Sequence, residues 1–519
     1  MKKLSLLTLL MLLAACQASD REQYDIIIRG GTVYDGSLQD GIATDIGIRG
    51  DRIYAIAGLQ SAQAPQVIDA KGLLVMPGFI DPHTHARATL GNPETSANLN
   101  YLTQGVTTVF IGNDGDGVAN RAATLRSFAE HGIGTNVAIL AGHGQIRRQV
   151  MGMQDRLATA AEIATMQALL AEQMREGAFG LSTGLFYAPG SYSDTSEVIE
   201  LARTAAEFDG IYDTHMRSES SHADGLLAAL EETIVIGREA QIPVHISHLK
   251  ALGKDMWDQY DELLARINDA RAEGVDVTAN QYPWRASGTR FSSALLPRWV
   301  QADSATRMRE RLEDPALLPR IREEMQGNLA LRGGTDAMLV SGAESQWRGQ
   351  TLKAIATTLE TDPITAAISV ILDGDPSIAS FVMNPDVINA IAVQPWVMTG
   401  SDGSGGHPRL YGTYPKAWHD LVVTRLLTIP QFVHRSSGHV AATFGICDRG
   451  FLRSGAIADI AVIDPRRFRA NATYEMPTEL SDGVVYLLVN GVITIDNNEY
   501  TGARPGIRLQ HEPCRSGAA

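Results

Sequence analysis

Eight apolar runs, each ending in polar residues and separated by segments of helical periodicity, constrain this chain more than any other feature of it. They read "GLLVMPGFID", "GVTTVFIGN", "TNVAILAGHG", "AFGLSTGL", "GIYDTHM", "IPVHISHLK", "VDVTANQYP" and "PWVMTGSDG". Amphipathic stretches such as "AAEIATMQALLAEQMREG" and "DGLLAALEETIVIGREAQ" lie between them. This alternation predicts a parallel sheet with helices outside it. A ninth run, "IASFVMN", leaves the count open, and a doubly wound open sheet can be written over the same segments. The polar ends decide between the two. His83, His85, Asn113, Asp114, His143, His215, His248, Tyr282 and Asp402 all fall where a run stops. Only a closed barrel gathers the ends of the first, fifth, sixth and eighth strands around one mouth. The expected fold class is therefore α/β, a (β/α)8 TIM barrel.

The barrel is assigned to residues 76–439. Residues 24–75 and 440–505 carry β-branched alternation and Gly/Asp turns, so a small β-sandwich built from both chain ends is expected beside it. Residues 284–345 are long for a barrel connection and suggest an insertion or lid over the mouth, and 506–519 form a C-terminal tail. Residues 1–15 resemble a lipoprotein signal: Met1-Lys2-Lys3, an apolar stretch Leu4 to Leu13, then Leu13-Ala14-Ala15-Cys16. Cys16 is the expected lipidation site, heading a linker of residues 16–23. Gln17, rather than Asp, favours an outer-membrane anchor with the protein facing the periplasm of a Gram-negative bacterium. The formal net charge of −15 argues against a nucleic-acid partner. In an oxidising compartment Cys447 and Cys514 can pair, but two cysteines are too few for a disulfide framework, and they are expected to be incidental to catalysis.

His83 and His85 are two apart, so on a strand they face one side and can reach a common ion. Alone, the pair says little. His215 ending the fifth run, His248 ending the sixth and Asp402 ending the eighth change the case. Neutral imidazoles with a carboxylate suit a zinc-like divalent ion that keeps a position open for water. Metal-assisted hydrolysis is the expected chemistry, with one or two zinc ions as cofactor.

These motifs, with the split sandwich, resemble the amidohydrolase superfamily. More narrowly, "PGFIDPHTH", "FGLSTGLFYAPGSYSDTSEV", "THMRSES", "HISHLKA", "GSDGSGGHPRLYGTYP" and "DRGFLRSGAIADIAVIDP" resemble the N-acyl-D-amino-acid deacylases over nearly the whole chain. The resemblance implies that His83, His85 and Asp402 form an exposed metal site, and that His215 and His248 hold a second, buried metal. Relatives carry Gly-Asn-Cys-Gly after the second strand, whose cysteine binds the buried metal. This chain has Gly112-Asn113-Asp114-Gly115, so Asp114 is expected as a ligand in the cysteine's place; the alternative is an Asx-turn residue that shapes the loop. Arg409 resembles the arginine that grips the substrate α-carboxylate, Lys250 is read as a substrate-binding cation, and Tyr282 and Tyr187 match tyrosines near the substrate. His143 is also a family position and is expected behind the ligands, whereas His222, His245 and His439 are read as structural.

The implied activity is removal of the acyl group from an N-acyl-D-amino acid, or cleavage of a dipeptide containing a D-residue, with Asp402 as the proton acceptor. The implied partner is thus a small molecule with a free carboxylate. Two alternatives stand beside it: another amide hydrolase of hydantoinase, dihydroorotase or dipeptidase type, and a non-catalytic metal- or solute-binding lipoprotein.

Overall fold

The computed structural model describes residues 23–118, 121–222 and 224–512. The signal expected at 1–15, the lipidation site Cys16 and Cys514 lie outside the described residues.

The eight runs form a ring of short parallel strands. They are β1 (Phe79–Asp81), β2 (Val106–Ile111), β3 (Asn136–Ile139, resuming at Ala141–Gly142), β4 (Gly180–Gly184), β5 (Ile211–His215), β6 (Val244–Ile246), β7 (Val277–Gln281) and β8 (Val397–Thr399). Each pairs with the next in parallel, from Phe79↔Val106 round to Ala279↔Val397. A parallel bridge Thr84↔Gly403 joins β8 back to β1. It is drawn tight by Asp402 N–H donating to His83 C=O at 2.9 Å and His85 N–H to Gly403 C=O at 3.1 Å. Closure therefore falls at the residues expected to carry chemistry.

Helices cover the ring. Thr159 and Glu162 form a reciprocal capping box that starts helix Ala160–Arg175. Helix Leu226–Ala240 buries Leu226, Leu230, Ile234 and Gly237, a stripe at spacings of three and four. Removing such side chains from water is worth about 1.5–3 kcal/mol each, which is why short helices of ordinary propensity hold against the strands.

The first run serves two sheets. Leu74–Pro77 pairs antiparallel with Ile460–Ile463, and Gly78 then turns the chain into β1. The resulting nine-stranded sheet takes Ile26–Val33, Ile42–Arg49, Arg52–Ala57, Gln66–Asp69 and Leu74–Pro77 from one end of the chain, and Ile460–Ile463, Val484–Val489, Val492–Asp496 and Glu499–Tyr500 from the other. Ile28, Ile46, Ile53, Ile460 and Leu488 share one core, so the sheet curls around residues from both ends. The later arm starts further along than 440. Residues Gly438–Thr443 are helical, and Val440 and Ala441 pack on Ile80 and Phe110 of the barrel.

The insertion is longer than the sequence suggested. It runs from strand Ser287–Arg290 through helices Leu318–Leu331 and Pro363–Leu372 to strand Ser377–Ser380. Phe291, Leu295, Met325, Ile355, Ile368 and Ile378 give it a core of its own. The ninth apolar run belongs here, to a small sheet ordered Ser287–Arg290, Ser377–Ser380, Met338–Val340. The tail also has a place: Leu509 N–H donates to Val137 C=O at 2.8 Å and Val137 N–H to Ile507 C=O at 2.9 Å, lacing residues 506–509 to β3. Cys447 is disulfide-bonded.

Candidate metal centre

Four histidines and two aspartates converge at the C-terminal mouth. Asp81, the last residue of β1, accepts from His83 N–H at 3.2 Å and from Ser401 N–H at 3.0 Å, and so locks together the exits of β1 and β8. Gly112 turns the chain after β2 with φ of +90°, and a Cβ there would meet Leu140 C=O at 2.4 Å; only glycine allows the approach that presents Asp114. Asp114, His248 and Asp402 themselves hold φ of 56°, 38° and 46°. Left-handed backbone at three functional side chains costs on the order of 1–3 kcal/mol each and persists because the barrel packing fixes it.

Asp114 is the centre of the cluster. Its Oδ1 lies 3.4 Å from His83 Nε2, 3.5 Å from His248 Nε2 and 3.6 Å from His215 Nδ1, and its Oδ2 lies 3.6 Å from His85 Nε2. Asp402 Oδ1 is 3.2 Å from His85 Nε2 and 3.6 Å from His83 Nε2. Donors about 2.0 Å from one tetrahedral ion stand about 3.3 Å apart, which these separations match; the shortest, His85 Nε2 to Asp402 Oδ1, is also a hydrogen bond. Both ring nitrogens of buried His83, Nδ1 of His215 and Oδ1 of Asp114 have no hydrogen-bond partner. Orphaned buried polar atoms of this kind are rare without an ion or water. The donors divide into His83, His85, Asp114 and Asp402, and Asp114, His215 and His248, with Asp114 common to both groups.

The surrounding residues hold the rings in place. Glu219 Oε1 accepts from Lys250 Nζ at 2.5 Å and lies 3.0 Å from His248 Nδ1, while Lys250 Nζ is 2.7 Å from that same nitrogen. Lys250 thus sits behind His248 as well as lining the cleft beside it. Burial pushes the Asp213 carboxyl up to about 7, helped by the charge of Asp114 and opposed by hydrogen bonds from Ser247 and Asn113. Glu219, Asp81 and Asp213 were not singled out from the sequence. The last two precede His83 and His215 by two residues, a spacing that could have marked them.

Arg409 is buried, with Nη1 2.6 Å from Asp402 Oδ2, Nη2 donating to Ser404 Oγ at 3.0 Å, and its guanidinium 4.8 Å from the Tyr282 ring centre. Tyr187 packs edge-on against His215 at 4.8 Å. His143 stands apart from the cluster: its Nε2 is 2.7 Å from Glu197 Oε1, which also accepts from Arg147 Nε at 3.2 Å. His245 is satisfied inside the barrel by Thr278 and Asn280 at 2.9 and 2.8 Å, and His439 stacks on His434.

Beyond the cleft lies a pair of arginines that the sequence did not reveal. Arg298 and Arg332 stand 4.1 and 5.6 Å from the Phe186 ring centre and line a pocket of about 20 Å³ with His222 and Ser220. Neither has an ion-pair partner among the described residues. Burial, and then the charge of Arg332, lower the Arg298 guanidinium to about 10.

An Amidohydrolase family profile matches residues 66–260. The D-aminoacylase of Alcaligenes xylosoxydans xylosoxydans is 34% identical over 518 residues, covering 94% of this chain and 98% of the relative. The chain belongs to the N-acyl-D-amino-acid deacylase family. A solved structure of a family member, a D-aminoacylase with a binuclear metal centre, superposes with a TM-score of 0.80 at 31% identity, covering 94% of this chain and all (100%) of that one. An N-acyl-D-glutamate deacylase from Bordetella bronchiseptica, complexed with zinc and a phosphonate mimic of the tetrahedral intermediate, gives 0.81 at 30% identity with the same coverage, 94% and 100%. This deacylase fold places metal-binding side chains at the barrel mouth.

Proposed function

We propose that this chain is a hydrolase that removes the acyl group from N-acyl-D-amino acids, with acidic D-residues as the preferred leaving amines. The observation that carries the reading is Asp114, a partly buried carboxylate whose buried Oδ1 is unpartnered and set among His83, His215 and His248. His83, His85 and Asp402 would hold one ion, His215 and His248 another, and Asp114 would bridge them. Zinc is the ion that this nitrogen and oxygen set suits, and it is the metal in the Bordetella neighbour. When bound, the metal supplies Lewis acidity to the scissile carbonyl and a more acidic water.

The chain's own residues do the rest. Asp402 turns Oδ1 to His83 and His85 and Oδ2 to Arg409. An incoming α-carboxylate draws Arg409 to itself, seated with Lys250 and Tyr282 in the cleft, and leaves Oδ2 free to take the proton of the attacking water. Asp402 then passes that proton to the departing amine. Arg298 and Arg332, charged and unpaired beside Phe186, offer the substrate's side-chain carboxylate the partner they themselves lack.

Asp402→Asn is expected to keep its metal content by elemental analysis and to lose turnover by three orders of magnitude or more; near-normal activity overturns the assignment. A panel of N-acetyl-D- and L-amino acids should show D-selectivity, with D-glutamate or D-aspartate ahead of D-leucine.

The Leu13-Ala14-Ala15-Cys16 segment supports a further part of the proposal, anchoring in the outer membrane with the barrel in the periplasm. The disulfide at Cys447 fits an oxidising compartment. Cys16→Ser should abolish palmitate labelling in cells and move the protein out of the membrane fraction; unchanged labelling refutes the anchor.

A further inference from the structure

The two histidine pairs of the centre differ in what stands behind them. Among the described residues, the acidic groups within ion-pair distance of His83 and His85 are Asp114 and Asp402, which belong to the centre itself. His215 and His248 each have a second carboxylate. Asp114 Oδ1 faces Nδ1 of His215 and Nε2 of His248. Glu219 faces the opposite nitrogen of each ring: its Oε2 lies 3.8 Å from His215 Nε2 and its Oε1 3.0 Å from His248 Nδ1. One buried side chain thus spans the outer nitrogens of two rings that present different atoms to the centre.

Hydrogen-bonding capacity gives this geometry its meaning. A neutral imidazole has one N–H and one lone-pair nitrogen, and the place of the hydrogen decides which nitrogen can ligate. The neighbours of His248 Nδ1 are Glu219 Oε1 and, at 2.7 Å, Lys250 Nζ. An ammonium accepts nothing, so of these two only Glu219 can receive a hydrogen from Nδ1, and that leaves the Nε2 lone pair toward Asp114. At His215 the 3.8 Å separation is longer than a hydrogen bond, and the charge of Glu219 draws the hydrogen to Nε2. The buried Nδ1 of His215, which has no hydrogen-bond partner, then keeps its lone pair.

Glu219 is itself held. Lys250 Nζ donates to its Oε1 at 2.5 Å. Its backbone C=O accepts from Leu252 N–H at 2.7 Å, which fastens the loop after β5 to the loop after β6. Ser218 Oγ closes the turn around it by donating to Ser220 C=O at 2.9 Å.

We infer that Glu219 is the positioning residue of the second ion. It sets the hydrogen on both His215 and His248 so that the nitrogens facing Asp114 are free to ligate, and it acts on this ion and not on the one held by His83, His85 and Asp402. The inference rests on the metal-centre reading above and adds to it a residue outside the ligand set.

The test measures zinc binding to metal-free protein by titration calorimetry in two backgrounds: His85→Ala, which leaves the second site intact, and His215→Ala, which leaves the first. Glu219→Gln keeps the size of the side chain but offers one acceptor oxygen in place of two. It should weaken zinc binding roughly 10- to 100-fold in the His85→Ala background and less than about threefold in the His215→Ala background. Glu219→Gln also leaves the Lys250 charge buried without its carboxylate. The pair Glu219→Gln, Lys250→Met removes that charge and should show the same selective loss, while Lys250→Met alone should change the affinity of either site less than about threefold. A loss equal in both backgrounds, no loss in the His85→Ala background, or a loss from Lys250→Met alone as large as from Glu219→Gln overturns the inference and leaves the metal centre standing. Failure of the parent protein to bind zinc overturns both.

Discussion

Asp114 carries more of the site than any other residue, because its two oxygens face all four histidines. A carboxylate is harder than a thiolate and able to bridge, which favours oxygen-tolerant divalent ions over thiophilic ones. Asp114→Ala should therefore lower metal content by at least one ion per chain, read by elemental analysis, and Asp114→Asn should weaken affinity tenfold or more. Unchanged stoichiometry in both would return Asp114 to a turn-shaping role. The arginine pair gives a second prediction at this scale. Arg332→Leu should cut kcat/KM for N-acetyl-D-glutamate by roughly 10- to 100-fold, the worth of about 1.5–3 kcal/mol for a charged hydrogen bond, and spare N-acetyl-D-leucine. An equal loss on both substrates would contradict a side-chain role. The convergence of the four histidines and Asp402 was legible in the sequence because each lies at or just beyond the end of a strand, where the fold itself dictates convergence. Arg298 and Arg332 were not, since they sit in an insertion whose path no periodicity reveals. Glu219 was hidden for another reason: it meets His248 only through a loop after β5.

At the scale of the element, one short turn sets the centre. Gly112 is held at φ +90° against Leu140 C=O, and Gly184, ending β4, would place a Cβ 2.2 Å from Asp114 C=O. The loop bearing Asp114 thus lies flat on its neighbouring strands, with no space for a side chain. Gly112→Ala is expected to destabilise the protein by about 2–4 kcal/mol and to reduce metal binding, since both the left-handed backbone and the contact are lost. Thermal unfolding with and without added metal measures it, and an unaltered melting temperature would mean that the loop can move aside. The strands themselves could be read from the sequence, but their ends could not. "GLLVMPGFID" reads as one run and is two strands in different sheets, because Gly78 bends it where Thr107 crowds any Cβ. "IASFVMN" reads as a barrel strand and is not one, because residues 284–383 had the apolar content to build a separate core.

At the scale of the whole molecule, the sheet made from both chain ends is pinned to the barrel floor by one buried network. Arg449 Nη1 lies 2.6 Å from Asp459 Oδ2, and both side chains are almost wholly buried, 3% and 1% exposed. Asn136 of β3 donates to the same oxygen at 2.9 Å, and Asn490 donates its N–H to Asp459 Oδ1 at 2.6 Å and its amide to Asn136 Oδ1 at 2.7 Å. One carboxylate thus joins a barrel strand, the segment before Ile460–Ile463 and the turn after Val484–Val489. The sequence showed two flanks that resemble each other in composition; it could not show this junction, whose partners are separated by 323 residues. Asp459→Ala leaves the buried Arg449 charge with only the half-exposed Asp448, 3.1 Å from its Nε, as ion partner; losing a buried partner costs up to about 3–5 kcal/mol, whereas replacing both members with apolar groups removes the charge together with its need. The single variant should therefore melt well below the parent, and the Arg449→Met, Asp459→Leu pair should recover part of the loss. Calorimetry distinguishes two forms of that loss. If the network couples the sheet to the barrel, the parent melts in one transition and Asp459→Ala in two, the sheet first. A single lowered transition in the variant would show that the apolar contacts of Val440, Ala441 and the laced tail already hold the two parts together without it.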